Sequence, residues 1–340
     1  MGSLMVDRIK IGFIGAGAHA NAVHYPSLAR IREAEIVAIC DIDERRLNST
    51  ANKYDIELRF RDYREMLKKV QLDAVYVIMA PIPIYGTRES LLDIVIECLK
   101  RGLHVFIEKP PGITSKETKK MAELAERYNC KTMVGFNRRF IPVFREAKRI
   151  VEDRGPITHC MAVFHKNMIG KPQPWGSVSY LVADIIHAVD SLRFMAGDEA
   201  HKVVSVITSF YADYPNSFNA LIEFRNGCIG HLCANYSSGG RVHYFEMHSK
   251  GIYAFVNLPF EAELQEARIL SNNKPYGEIE VIKNLDLVRG SKELYMTYGF
   301  YQENKHFIDC IRNDEEPETN FKDAVKTMEL VERIEAATLK

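Results

Sequence analysis

In the first part of the chain, short continuous apolar runs alternate with stretches whose apolar residues recur at helical spacing. Ile9, Ile11, Phe13 and Ile14 make one run, Ala34–Cys40 a second, Ala74–Ala80 (AVYVIMA) a third, Leu103–Ile107 a fourth and Lys131–Phe136 another short one. Runs of this kind suit strands buried on both faces of a parallel sheet. Between them the spacing predicts helices over Glu44–Tyr54, from Asp62 with Glu65 three residues on, over Ser90–Arg101, and over Lys116–Tyr128 with Thr114 or Ser115 as cap. On the third of these, Leu91, Ile94, Val95, Cys98 and Leu99 share one side, and Gly102 supplies the stop. Strands alternating with helices in this way predict an α/β fold with a doubly wound parallel sheet.

From about Arg138 the pattern changes. A helix over Val143–Glu152 leads to strand-like segments at Thr158–Phe164, Val203–Phe210, Ala220–Phe224, Cys228–Tyr236 and Tyr244–His248, and Asn226-Gly227 signals a type I′ hairpin. Consecutive strands joined by tight turns are antiparallel. Helices are expected over Tyr180–Met195, Phe300–Asn313 and Asp323–Thr338. The second part therefore reads as an α+β domain on an open, mainly antiparallel sheet. The expected boundary separates a Rossmann domain at 5–137 from a second domain at 138–340.

The chemistry starts where the first run ends. Gly15-Ala16-Gly17-Ala18-His19-Ala20 is G-x-G-x-x-A between a strand and a helix, the pyrophosphate turn of a dinucleotide-binding unit. Gly15 allows the sharp turn, Gly17 the close approach of backbone to phosphate, and Ala20 close packing of helix on strand, while Ala18 and His19 open the helix whose N–H groups face the phosphates. The second run ends in Asp41, about twenty residues further on, where an acidic side chain accepts hydrogen bonds from the adenosine ribose. Asp41 favours NAD, because a 2′-phosphate would meet like charge; Arg45 and Arg46 keep NADP open by offsetting that repulsion. A turn or cap is the competing reading of Asp41.

At 340 residues the chain suits two domains, and equal counts of 45 basic and 45 acidic residues leave no overall field for nucleic acid or an anionic membrane. The seven scattered cysteines suit reduced thiols, and no apolar run is long enough to span a bilayer, so the expected location is cytoplasmic. Cys228 and Cys233, with His231 between them, are the only thiols close enough to suggest a metal. Residues five apart on a strand face opposite sides, so no metal site is expected.

Ligands of doubly wound sheets sit at the carboxyl ends of the strands, where Ala80, Pro81, Glu108, Lys109 and Asn137 fall and read as cofactor-binding. Lys109, placed before two prolines, suits stabilisation of an alkoxide. On the helix YLVADIIHAVDSLRFMAG, Leu181, Ile185, Ala188, Leu192 and Met195 mark the buried stripe. Asp184 and His187 sit at i and i+3, so a carboxylate beside the imidazole would orient a general base. Asp190 either holds the other ring nitrogen or pairs with Arg193. Arg138 suits the substrate or an ion pair; Trp175, in the loop KPQPWGS, suits a wall or lid; His165 and Lys166 precede that loop and suit polar substrate groups. Tyr295, Tyr298 and Tyr301 suggest packing or an interface.

The order G-A-G-A-H-A, Asp41, an apolar strand ending at Ala80-Pro81, HVFIEKP, GFNRRF and D-x-x-H-x-x-D resembles the glucose-fructose oxidoreductase, inositol dehydrogenase and MocA family over nearly the whole chain. The resemblance implies an NAD(P)-dependent oxidoreductase of a small sugar, polyol or related compound, with Lys109 and His187 as catalytic pair. It further implies a homo-oligomer, dimer or tetramer, formed through the C-terminal sheet. Two positions depart from the pattern. Members often carry a histidine a few residues after the Pro81 position, where this chain has Tyr85, a candidate substrate contact. Many place the acidic partner four residues before the helix histidine; here that position is Ala183, and Asp184 is turned by about 100° around the helix. Two other readings stand beside this one: a non-catalytic NAD(P)-binding sensor or scaffold, and a reductase of a diol, an imine or a tetrapyrrole.

Overall fold

The computed structural model describes residues 8–83, 89–275 and 277–339. They form two compact units, 8–136 with 300–325 and 137–299 with 326–339. The observed crossing at 136/137 lies next to the expected one, but the later segment 300–325 belongs to the first unit rather than the second. Its helix Phe300–Asn313 carries Phe307, fully buried with its ring 5.9 Å from Tyr76 and 5.7 Å from Phe106. Helical periodicity shows that such a helix has an apolar face; which core receives that face is decided over long range.

The first unit is built on six parallel strands, β1 (Ile9–Ile14), β2 (Ala34–Cys40), β3 (Leu58–Phe60), β4 (Ala74–Val77), β5 (His104–Ile107) and β6 (Thr132–Val134), in the order β3-β2-β1-β4-β5-β6. This is the dinucleotide-binding order, with its switch point between β1 and β4. Strand β3 escapes the apolar pattern because Leu58 and Arg59 are exposed. The helix starts follow from local chemistry. Asp43 accepts from the backbone N–H groups of Arg45 and Arg46, Asp62 accepts from that of Arg64, and Ser90 with Asp93 and Thr114 with Glu117 form reciprocal capping boxes.

The second unit holds an eight-stranded sheet: β7 (His159–Asn167), β8 (Ala200–Thr208), β9 (Ser217–Phe224), β10 (Ile229–Asn235), β11 (Ser237–Ser249), β12 (Ile252–Asn257), β13 (Glu266–Ser271) and β14 (Glu280–Lys283). The order is β14-β13-β12-β11-β7-β10-β9-β8, antiparallel except for the β7–β10 pair. Helices Pro142–Glu152 and Ile186–Ala196 pack on one face. Strands β12 to β14 are additions to the expected set.

The turn at Asn226-Gly227 also differs from expectation. Phe224 N–H bonds the Cys228 carbonyl around a three-residue loop in which Gly227 alone has positive φ (86°), so this is a hairpin with a left-handed third residue rather than type I′. Asn226 is held instead by its side chain, which donates to the Ala196 carbonyl and accepts from Cys228 N–H.

Phe307→Ala is expected to destabilise the protein by about 3–5 kcal/mol through loss of buried aromatic packing. Urea unfolding of the two forms measures this, and a difference below about 1 kcal/mol would place Phe307 outside the core.

Candidate functional site

In the first unit the glycine turn leaves β1 at Gly15, whose φ is +111° and where an added Cβ would lie 2.3 Å from the Ile78 carbonyl oxygen. No side chain fits there. At Gly17 an added Cβ meets nothing within 4 Å, so the space above the turn is open, which is what a pyrophosphate lying on the backbone requires. Asn21 pins the turn from behind by donating to the Ala16 and Gly17 carbonyls and to Thr50 Oγ1. Residues 18–28 are helical, with a π turn at Ala20–His24; Ala20 is fully buried, while Ala18 and His19 are exposed.

Asp41 binds the turn directly. Its Oδ2 accepts from Ala16 N–H at 2.6 Å and its Oδ1 from Asp43 N–H at 2.8 Å. These bonds orient the carboxylate, and each oxygen retains a lone pair for a ribose hydroxyl. Arg46, the candidate for offsetting a 2′-phosphate, lies 3.5 Å from Asp43. The turn, the open space over Gly17 and the oriented carboxylate together fit an NAD-type dinucleotide.

Glu108, at the end of β5, is buried and closely held. His19 Nε2 and His24 Nε2 both lie 3.0 Å from its Oε1, and Lys109 N–H donates to its Oε2 at 3.1 Å. Gly135 makes room for it; a Cβ there would come within 2.9 Å of Oε1. Asn304 Nδ2 donates to the Phe300 carbonyl (2.7 Å) and to His24 Nδ1 (3.2 Å), so Nδ1 accepts and the ring proton of His24 is on Nε2, facing Glu108.

Burial is the largest influence on both groups. It holds the His24 imidazole below its ordinary value and pushes Glu108 up, but the His19 charge and the bonds from both histidines bring Glu108 well below the usual carboxylate range. The three donor atoms lie within 4.8 Å of one another, close enough for a cation. A metal-bound His24 would have to donate from Nδ1, where Asn304 already presents an N–H, so the hydrogen-bonded network accounts for the cluster better.

In the second unit Asn137 is buried. Its Nδ2 donates to the Tyr298 carbonyl (2.7 Å) and its Oδ1 accepts from Arg138 Nη1 (2.7 Å). Arg138 Nη1 also lies 3.0 Å from His187 Nε2, and since a guanidinium only donates, Nε2 carries the lone pair and Nδ1 the proton. Asp184 is held from the sheet: Lys166 Nζ pairs with its Oδ2, which also accepts from the Tyr236 hydroxyl at 2.5 Å. The expected i, i+3 partnership with His187 gives way because Leu181–Ile185 is a π turn and Ile186–Ala196 an α-helix, which changes the angular offset. Asp190 takes neither expected partner. It receives a buried bidentate pair from Arg139 (2.7 and 2.6 Å) and a bond from Thr327, while Arg193 pairs with Glu199.

The other candidates are dispersed. His165 and Lys166, adjacent on β7, face opposite sides of the sheet; His165 Nδ1 accepts from Asn235 N–H, and burial lowers its pKa. Trp175 is half-buried with φ 47°. Ala80 and Pro81 follow β4, and the Pro81 carbonyl accepts from Leu91 N–H. Tyr85 lies outside the described residues. Cys228 is buried and Cys233 half-buried on the other face of the sheet. Sequence reasoning missed His24, Tyr236, Arg241 and His243. The only local signal for the last was the inward phase of its strand, shared with Phe245 and Met247.

A parallel sheet in this order with a glycine turn at its switch point defines a dinucleotide-binding type of domain. Residues 9–136 match the Gfo/Idh/MocA model, described as an oxidoreductase family with an NAD-binding Rossmann fold. The chain is 29% identical over 292 residues to the oxidoreductase YrbE of Bacillus subtilis, covering 80% of this chain and 81% of that one. It is 24% identical over 330 residues to myo-inositol 2-dehydrogenase of Thermotoga maritima, covering 93% and 92%. Among solved structures, a dehydrogenase from Chromobacterium violaceum shares the fold with a TM-score of 0.85 at 23% identity, over 98% of this chain and 96% of that one.

Two outcomes follow. Gly17→Val is expected to leave thermal stability nearly unchanged, since its Cβ enters open space, yet to weaken NAD binding at least about tenfold by calorimetry; retained affinity would move the pyrophosphate elsewhere. His24 is uncharged when folded but takes a proton near pH 6.5 when unfolded, so the unfolded state binds more protons below that pH and stability falls as pH drops through the mid-sixes. His24→Gln is expected to show a shallower loss of unfolding free energy between pH 7.5 and 5.5 than the parent; parallel slopes would show that His24 titrates alike in both states.

Proposed function

We propose that this dehydrogenase transfers hydride reversibly between NAD and a secondary alcohol of a sugar, polyol or related compound. The observation that carries the reading is the strand-end motif Glu108-Lys109-Pro110, whose carboxylate is locked under the glycine turn, so that Lys109 is held at the mouth of the sheet beside the cofactor turn. The inositol dehydrogenase activity named for the Thermotoga relative supports the substrate class.

When bound, the nicotinamide supplies the hydride acceptor. The residues of this chain manage the proton and the charge. In oxidation the lone pair on His187 Nε2 takes the hydroxyl proton, a contact Arg138 has to yield, and the Lys109 ammonium stabilises the alkoxide as charge develops. Asp184 positions Lys166 rather than the base. Gly15, Gly17, Ala18 and His19 hold the pyrophosphate over the closely packed Ala20, and Asp41 holds the ribose. Self-association belongs to the same reading: Val204, Val206 and Leu221 are 46 to 48% exposed on the outward face of β8 and β9, an apolar patch suited to a second copy.

Lys109→Ala is expected to lower kcat by about a hundredfold or more while changing the Kd for NAD less than about threefold, measured by cofactor reduction with sugars and polyols and by calorimetry. Undiminished turnover would remove Lys109 from the chemistry. Tighter binding of NADP than of NAD would overturn the role of Asp41.

A further inference from the structure

Tyr236 is a tyrosine at a place where phenylalanine would fill the same space, and its backbone is fixed on both sides. At the junction of β10 and β11 its N–H donates to the Asn216 carbonyl and its carbonyl accepts from Met168 N–H, each at 2.8 Å. The ring is fully buried, with the Tyr180 ring 5.0 Å away and the Lys166 ammonium 5.8 Å from its centroid. Its hydroxyl donates to Asp184 Oδ2 at 2.5 Å, the same oxygen that Lys166 Nζ pairs with. Burial first, and the Asp184 charge after it, hold the phenol well above its ordinary value, so it remains an O–H donor throughout the neutral range.

Two donors anchored in the sheet therefore fix one carboxylate oxygen of a residue that enters the helix. What lies three residues on gives this its consequence. His187 Nε2 carries a lone pair and meets Arg138 Nη1 at 3.0 Å. A carboxylate bonded to an imidazole favours the imidazolium and so withdraws the base at neutral pH, whereas a guanidinium facing the ring favours the neutral form. The groups around Asp184 are Lys166 from β7, Tyr236 from the β10–β11 junction, Tyr180 on its own segment, raised to about 12 chiefly by burial, and His243 on β11, lowered chiefly by burial and bonded by Arg241 at 2.8 Å. The group facing His187 is Arg138, from the turn Asn137–Phe140. Removing the Tyr236 hydroxyl changes the hold on Asp184 without changing any charge in this set.

We propose that Tyr236 is a positioning residue for hydride transfer: acting through Asp184, it holds that carboxylate on Lys166 and off the His187 imidazole, and so keeps the base in its neutral form. The inference rests on the dehydrogenase reading above for the role of His187. Tyr236 is not a catalytic residue, since its effect on the base passes through Asp184.

The readout is the acid limb of the pH profile of kcat/KM for NAD reduction, with myo-inositol and D-glucose as the probes. Tyr236→Phe is expected to move that limb to higher pH by at least about half a unit, because the released carboxylate turns toward the imidazole and favours its charged form. In the Asp184→Asn background the same substitution is expected to leave the limb where Asp184→Asn alone puts it. A purely structural loss lowers the rate without moving the limb. A limb unmoved or lowered by Tyr236→Phe, or raised equally with and without the Asp184 carboxylate, would overturn the inference. Asp184→Asn serves by itself if Tyr236→Phe does not fold. With the carboxylate already held off the ring, its limb is expected to stay within about 0.3 unit of the parent whatever the change in rate, and a larger drop would show that Asp184 pairs with His187 in the parent. If neither probe reduces the cofactor, the hydride-transfer reading is what has failed for them. The positioning is then judged by NMR titration of His187 in protein labelled with 15N-histidine. An imidazole that titrates at higher pH in Tyr236→Phe than in the parent, and loses that difference in the Asp184→Asn background, upholds it; one that titrates alike in Tyr236→Phe and the parent overturns it.

Discussion

A carboxylate sealed under a glycine turn is the constraint around which the first unit is arranged. Glu108 is buried, and an unpaired charge there would be prohibitively costly, so it must be matched by donors on several elements at once. His19 comes from the turn, His24 from the helix behind it, and Lys109 from the chain just beyond. Asn304, on the returning helix, fixes the tautomer of His24. Removing any of these leaves either an unmatched charge or a misdirected ring. The glycine turn and the end of β5 are thereby fixed relative to each other, which is what a cofactor turn and a strand-end lysine need.

The second unit solves a similar problem with cations. Arg139 is neutralised by a bidentate bond to Asp190, itself braced by Thr327, and Lys166 is met by Asp184. Arg138 lies over the Tyr298 ring at 5.2 Å, and Arg241 bonds the Leu258 carbonyl and stacks on Phe260. Guanidinium groups tolerate such surroundings because they are weakly hydrated and planar.

The division of the chain shows how local and distant forces share the work. The capping boxes at Ser90 and Thr114, the glycine stop at Gly102 and the turn at Gly15 are short-range steric and hydrogen-bonding events, and each appears where its residues predict it. The hairpin at Asn226-Gly227 lies at the limit of that reach: the turn is where the dipeptide places it, but its type changes because the Asn226 side chain finds the Ala196 carbonyl.

From the residues alone came the strand and helix rhythm of the first unit, the cofactor turn, the placing of Asp41 and the strand-end Lys109, and the change to an antiparallel grammar near residue 138. All of these depend on backbone sterics and on periodicities of two and about 3.6, which neighbours in sequence express without help. Strands β13 and β14 were not legible because charged residues such as Glu266, Arg268 and Glu280 interrupt their alternation. The partners of Glu108, Asp184 and Asp190, the home of the helix at 300–313, and the pairing of Arg241 with His243 were settled only by tertiary structure. Each joins side chains whose meeting depends on how whole elements pack, and a buried polar group takes whichever complementary partner that packing brings within about 3 Å.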